Sequence, residues 1–504
     1  MDRDFLSSII LFSSLIFLAF LWNLITRSKR PRSSGELPPG PRKLPVIGNL
    51  HNLVSSRPPH HILADLASKY GAMMHLRLGE ISTVVISSPE AAKEVMKTYD
   101  INFANRPSFY ASKIITYDNS DIGFSNGEYR KNLRKVSKME LLSAKRVKSF
   151  RPLREEVFSD MCSWIASKEG SSINLTEKVS LATFDVALRA SLGGKIDEHT
   201  AMVDVTKESF DLLAGFYAGD LFPSISLLQS IDGFRGRVEK VHKLSDAILQ
   251  KIIDSRKVAK SQGKTHENLV DILLKFHKDT GHDLGLSDDN IKAVLQDMFI
   301  AGIETSSTTT DWAMAEMMKH PSLLKKAQDE VRQIFLDKGF VDESDFDELK
   351  YLNLVIKETF RIHPPGPLIL RENKETCEIN GYTIPAKTRV VVNAWAIGRD
   401  PKIWKDADSF IPERFLDNNI SADYTGKNFD YIPFGSGRRI CPGMSFGIAN
   451  VEFPLAMLLY HFDWVLPQGI KPEDVDMAES FGLTAVRKTP LTVIPKLKNP
   501  LPVK

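Results

Sequence analysis

Residues 433–443 read Pro433-Phe434-Gly435-Ser436-Gly437-Arg438-Arg439-Ile440-Cys441-Pro442-Gly443, and an apolar run, Met444 to Tyr460, follows at once. The chain has three cysteines, and this one sits behind two glycines and two arginines at the head of a helix-like segment. A buried thiolate needs backbone N–H groups near the sulfur, a helix N-terminus beyond it and no bulky side chain holding the backbone away. Gly435, Gly437 and Gly443 meet the steric need, since glycine permits tight turns and close approach. A thiolate so placed can ligate an iron, and Arg439, two residues earlier, can pair with a carboxylate of the same cofactor. In a porphyrin that carboxylate is a propionate.

Upstream, the next strong element runs from Ser287, a plausible N-cap, to His320, where Pro321 ends it. Its middle, Ala301-Gly302-Ile303-Glu304-Thr305-Ser306, is an odd choice for a helix interior. Gly costs about 1 kcal/mol relative to Ala there, and Thr tends to bond the carbonyl four residues back. Small residues leave room for a flat cofactor, and Thr305 and Glu304 supply a hydroxyl and an acid where dioxygen chemistry needs protons.

Phe434-x-x-Gly437-x-Arg439-x-Cys441 resembles the haem-binding signature of the cytochrome P-450 superfamily, in which a thiolate ligand favours O–O cleavage. Ala301-Gly302-x-Glu304-Thr305 is similar to that family's Ala-Gly-x-Asp/Glu-Thr motif. Glu358-x-x-Arg361 and Pro412-Glu413-Arg414-Phe415 resemble its buried Glu-x-x-Arg and the arginine that completes it. The resemblance implies that Glu358, Arg361 and Arg414 are structural and that Cys441 ligates the metal of haem b. It implies that Phe434, Gly435, Ala301 and Gly302 border the haem, and that Arg439, Arg371 and Arg134 hold propionates. Arg130 stands where the family usually has Trp, and a guanidinium there can still donate to a propionate. The family usually places a proline before the arginine that Arg371 matches, and this chain is one residue shorter there. The implied substrate pocket comprises Phe299, Leu368, Ile369, Leu370, Phe481 and Leu483, roofed by the aromatics around Phe210, Phe216, Tyr217, Leu221 and Phe222.

The rest of the chain fits that frame. At 504 residues it exceeds what one core usually supports. Lys plus Arg is 66 against 63 Asp plus Glu, a balance that leaves no nucleic-acid footprint. Cys162, Cys377 and Cys441 are odd in number and far apart, so neither a disulfide framework nor a zinc site is indicated. Phe5 to Ile25 is long and apolar enough to cross a bilayer. Arg27, Lys29, Arg30 and Arg32 follow it, a bias that leaves the bulk of the chain in the cytosol. The organisation expected is a transmembrane anchor with basic flank at 1–30, a Pro-rich linker at 31–48 and one catalytic domain at 49–504. Its fold class is mainly α with a small β lobe (α+β). Asn105 to Asn126 lacks periodicity and reads as a long surface loop, and Pro454 is expected to kink the helix after Cys441.

The closest likeness is to plant microsomal members that oxidise terpenoids, phenylpropanoids and alkaloids. It implies a single-pass protein of the endoplasmic reticulum membrane that hydroxylates or otherwise oxidises a small lipophilic metabolite, a terpenoid first and an alkaloid or phenolic second. Dioxygen and electrons from an NADPH-cytochrome reductase are implied as co-substrates, with cytochrome b5 as a second donor and no nucleic acid as partner. Two other readings stay open: a reductase-independent haem isomerase or dehydratase, which Thr305 opposes, and a non-catalytic haem-binding scaffold.

Overall fold

The computed structural model describes residues 35–213, 217–225, 228, 233–262, 268–281, 284–417 and 422–501. The anchor expected at 1–30 and Phe216 lie outside these residues. Among the described residues no helix is long and apolar enough to cross a membrane. The Pro-rich stretch lies along the first strand: the carbonyl of Pro39 accepts from His75 N at 2.8 Å, and that of Pro41 accepts from Asn49 Nδ2 at 3.1 Å.

In chain order, α1 (Pro59–Tyr70) leads into a hairpin of β1 (Met73–Leu78) and β2 (Ile81–Ile86). Helices α2 (Tyr110–Ile115), α3 (Gly127–Val136), α4 (Arg151–Ala166), α5 (Leu175–Leu192), α6 (His199–Leu212) and α7 (Phe234–Ser261) follow. Then come α8 (Asp288–Lys319), α9 (Pro321–Ile334), α10 (Lys350–Ile362), β3 (Leu368–Glu372), β4 (Arg389–Asn393) and α11 (Met444–His461). A last hairpin pairs β5 (Glu479–Phe481) with β6 (Ala485–Arg487). The fold is mainly helical with small sheets. The largest sheet has the order β1-β2-β4-β3, and β4 pairs parallel to β2 and antiparallel to β3. Every residue of β4, Arg-Val-Val-Val-Asn, is buried, as expected of a strand covered on both faces.

Helix α8 is the axis of the helical layer. Ser287 caps it: its hydroxyl accepts from Asn290 N at 3.2 Å, and the Asn290 side chain accepts from Ser287 N at 3.0 Å. Asp288 and Asp289 in the first turn and Lys319 in the last complement the helix dipole. At 1.5 Å per residue, its 32 residues span roughly 48 Å. It packs against α5 and α11, and Gly302 faces Phe446 of α11, whose ring would lie 3.6 Å from an added Cβ.

One expectation is corrected. Residues 105–126 are not a plain surface loop: they contain α2, whose Ala111, Ser112 and Ile115 are buried. Some of the polar residues that made the stretch look solvated, Ser112, Asp121 and Ser125 among them, are buried. Ser112 Oγ caps α2 by accepting from Phe109 N at 3.0 Å and donates to Asn119 Oδ1 at 2.8 Å. Helix α11 continues through a buried Pro454, a position where the resemblance allows a proline. Its burial among Phe453, Leu455 and Leu458 outweighs the one backbone hydrogen bond that proline removes.

Candidate active site

Cys441 is positioned by its own loop. Gly435 and Gly437 hold φ of +71° and +70°, a region open to glycine at little cost. An added Cβ at Gly437 would stand 2.1 Å from Met96 O, so the loop presses directly on the backbone ahead of Asp100. Cys441 N donates to Phe434 O at 2.9 Å, closing the loop. The Phe434 ring packs edge-on against Phe360 at 5.2 Å and Tyr424 at 5.5 Å. Burial pushes the Cys441 thiol above its ordinary value, while the Gly443 N–H and Arg134 act in the opposite sense. A coordinated metal removes such a proton outright.

Around this loop gather five arginines. Arg439 donates to the carbonyls of Ala104 (2.6 Å), Gly123 (3.2 Å) and Ser125, and to Asn126 Oδ1 at 2.7 Å. Arg371 donates to Leu370 O at 3.0 Å and Ser436 O at 3.4 Å. Arg106 donates to Leu370 O, Arg130 to Arg438 O at 3.2 Å, and Arg134 to Ile440 O. Among the described residues none of the five has a carboxylate within ion-pair distance. Burial, with Arg106 and Arg439 close by, drives Arg371 well below its ordinary value, and burial with Arg106 and Arg130 pushes Arg439 down to about 8. A guanidinium scarcely gives up its proton, so these shifts measure positive charge that the protein itself leaves unrelieved.

On α8, Thr305 Oγ1 donates to Ala301 O at 2.7 Å. Ala301 is exposed while Ser306 to Met318 are buried on every side. Glu304 is half-buried, and Oε2 accepts from Thr484 Oγ1, on the β5–β6 turn, at 2.6 Å. Burial pushes Glu304 up to about 7, against the pull of Thr484. Thr484 follows Leu483 directly, but its bond to Glu304 was beyond sequence reasoning. One turn before Ala301, Asp297 is paired with Asp121. Asp297 Oδ2 also accepts from Ile122 N, and burial raises Asp121 to about 6 and Asp297 well above its ordinary value. This carboxyl pair pins α8 to the loop that Arg439 grips.

Strand alternation sorts β3: Leu368 and Leu370 pack with Leu63, Val85 and Leu221, while Ile369 packs on the opposite face with Ile86 and Ile432. Ile369 Cδ1 lies 3.9 Å from the Cβ position of Gly435, so Ile369 and Arg371 share the cysteine-loop face. Leu483 packs with Ile300, Phe210 and Ile115. Phe299 is buried in the main core with Leu295 and Ile303, and its neighbour Ile300 belongs to the cluster that Leu483 packs against. The Phe481 backbone pairs with Ala485. Glu358, Arg361 and Arg414 meet apart from this group. Arg361 grips both Glu358 oxygens at 2.7 and 2.8 Å, and Arg414 Nε adds a bond at 2.9 Å. A cleft of about 700 Å³ opens by Tyr117, His242 and Asn290, but Asn290 lies 15 residues before Thr305 on α8, roughly 22 Å away.

The donor set fits a haem. It offers one thiol at the head of α11, a flat exposed patch at Ala301, and arginines that meet carbonyl dipoles where a dianion would neutralise them. Arg106 was not read from the sequence, because it lies in the aperiodic 105–126 stretch.

The cytochrome P450 family model matches residues 38–492, and the chain belongs to that family, whose cofactor is haem iron. It is thereby an oxidoreductase of the oxygen-incorporating kind. It is 52% identical over 500 residues to salviol synthase of Salvia pomifera, covering 99% of both chains. It is 48% identical to premnaspirodiene oxygenase of Hyoscyamus muticus, covering 96% of this chain and 97% of that one. A zebrafish cytochrome P450 solved with progesterone shares the fold, with a TM-score of 0.75 at 24% identity over 87% of this chain and 99% of its own.

Proposed function

We propose that this chain is a membrane-anchored monooxygenase of the endoplasmic reticulum that oxidises a small lipophilic plant metabolite, a terpenoid before an alkaloid or phenolic. The electrons come from an NADPH-cytochrome reductase, with cytochrome b5 as a second donor. The observation that carries this reading is the convergence on one site of Cys441, a carboxylate-free arginine cluster and the Glu304–Thr305 pair. The apolar side chains of Ile300, Leu483, Phe210 and Ile115 suit a hydrocarbon substrate. Relatives named as a salviol synthase and a premnaspirodiene oxygenase favour the terpenoid.

Haem bound through the Cys441 thiolate supplies dioxygen activation. The chain's own residues do the rest. Arg371, Arg439, Arg134, Arg130 and Arg106 would hold the propionates of the bound haem. Glu304, titrating near neutrality, holds a transferable proton on its carboxyl oxygen, and Thr484 orients that carboxyl. Thr305, bonded back to Ala301 O, keeps its hydroxyl oxygen free to accept and pass a proton one residue further. Leu483 and the cluster around Ile300 give that site an apolar flank.

The test is the carbon monoxide difference spectrum of the reduced, membrane-expressed protein, followed by NADPH consumption with reductase and candidate terpenes. A Soret band at the thiolate position and substrate-dependent NADPH use are expected. A band at the imidazole-type position, or no haem, would sink the reading.

A further inference from the structure

Away from the cysteine loop, three ligating side chains converge. His60 and His61 open α1, and Glu479, 419 positions after His60, opens the β5–β6 hairpin. His60 Nε2 lies 2.6 Å and His61 Nε2 2.9 Å from one and the same atom, Glu479 Oε2. All three candidate ligand atoms fall within 4.8 Å of one another. His60 and Glu479 are buried, whereas the His61 side chain is 23% exposed, which leaves one open side.

We propose that His60, His61 and Glu479 form a binding site for a zinc-type divalent cation, which fastens α1 to the β5–β6 hairpin. Imidazole nitrogen sits about 2.0–2.1 Å and carboxylate oxygen about 2.0–2.2 Å from zinc, so tetrahedral ligands stand roughly 3.3 Å apart. The two nitrogen-to-oxygen distances are each short of that spacing by less than about 1 Å. Two imidazoles and one carboxylate, with a water on the open His61 side, make a full zinc set. The same nitrogen-rich set disfavours magnesium and calcium, which take oxygen ligands.

The surroundings hold the ligands in place, as the outer shell of a metal site must. The His61 ring stacks on Trp395 at 4.2 Å. The other Glu479 oxygen, Oε1, faces His363 Nδ1 at 3.6 Å. His363 is itself fixed, with Nε2 2.8 Å from Glu316 Oε1 and its ring stacked on Trp312 at 3.8 Å. The Glu479 and Glu316 carboxylates offset the Arg399 guanidinium, which lies over the Trp395 ring. Glu479 is five residues from Thr484, so a cation here also restrains the turn that holds Glu304.

The test uses the full-length, untagged, haem-loaded protein, stripped with a chelator and dialysed against micromolar Zn²⁺, with zinc and iron counted by elemental mass spectrometry. One zinc per haem is expected, with a thermal midpoint that rises with zinc concentration as mass action requires. His61→Ala should retain the haem spectrum and lose the zinc, and Glu479→Gln should lose it too. Because Glu479→Gln removes a buried carboxylate and risks misfolding, the solvent-edge His61→Ala variant decides. Background zinc in the wild type, or undiminished zinc in His61→Ala, overturns the proposal and leaves the cluster as two imidazoles hydrogen-bonded to one carboxylate.

Discussion

Two groups of buried arginines sit on the cofactor side of this molecule, and they are built on opposite principles. In the first, Arg361 and Arg414 close on Glu358, which also accepts from Ile411 N at 2.8 Å, and the spare guanidinium nitrogens reach Gly398 O and Ala407 O. Both guanidiniums share a carboxylate partner that the protein itself supplies. In the second, Arg106, Arg130, Arg134, Arg371 and Arg439 meet carbonyl oxygens alone; burial holds each below its ordinary value, and neighbouring arginines add to this at Arg371 and Arg439. The contrast separates a group that completes the fold from one that the fold leaves for an anion to complete. Both contain arginine, and both are buried; only the partner tells them apart.

The largest effect should come from breaking the balanced group. Glu358→Gln strands two buried guanidiniums, a loss of about 3–5 kcal/mol, so little folded protein should accumulate, measured as yield and denaturation midpoint. A variant as stable as the wild type would erase the distinction. Next, Arg371→Met should leave the haem-free protein at least as stable, since it removes an uncompensated charge. Haem retention should fall about 10–100-fold, the loss of a charge-assisted hydrogen bond worth roughly 1.5–3 kcal/mol. Haem transfer to an acceptor protein measures the second arm and chemical unfolding of the haem-free form the first. Equal destabilisation of both forms would count against the contrast.

The same comparison extends to the acids. Glu358 has four donors, Glu304 only a hydroxyl. Thr305→Ala should divert reducing equivalents to peroxide and lower product per NADPH by about tenfold or more, in the range of lost acid–base assistance. Unchanged coupling with a genuine substrate would remove Thr305 from proton handling. The smallest effect is a pH slope. Glu304 is raised from 4.5 to about 7, so between these values the folded state holds a proton that the unfolded state has released. Its contribution to stability therefore falls as pH rises from about 4.5 to 7 and is flat beyond. Glu304→Gln should flatten that limb, and also the decline in coupling above about pH 7; a profile identical to wild type would assign the slope elsewhere.

What was legible in the sequence was local. The Cys441 loop, the capped α8 with its Ala301–Thr305 centre, and the Glu358-x-x-Arg361 pair each lie within a few turns of chain, where spacing fixes geometry. What escaped were pairings across the chain. Arg106 reaches Leu370, and Thr484 reaches Glu304 over 180 positions. Asp121 meets Asp297 through a buried carboxyl pair that no periodicity announces. The part of Ile300 beside the Leu483 cluster went unread for a different reason, a single step of about 100° around a helix from Phe299. Apolar residues on every side of α8 left that rotation undetermined.

The turn between β5 and β6 places Leu483, against Ile300, and Thr484, bonded to Glu304, at consecutive positions. A molecule that crowds Leu483 aside must therefore drag the neighbouring hydroxyl off the acid. Ill-fitting guests should then waste electrons before they mis-site oxygen, so that discrimination is exercised through yield per electron as well as through affinity.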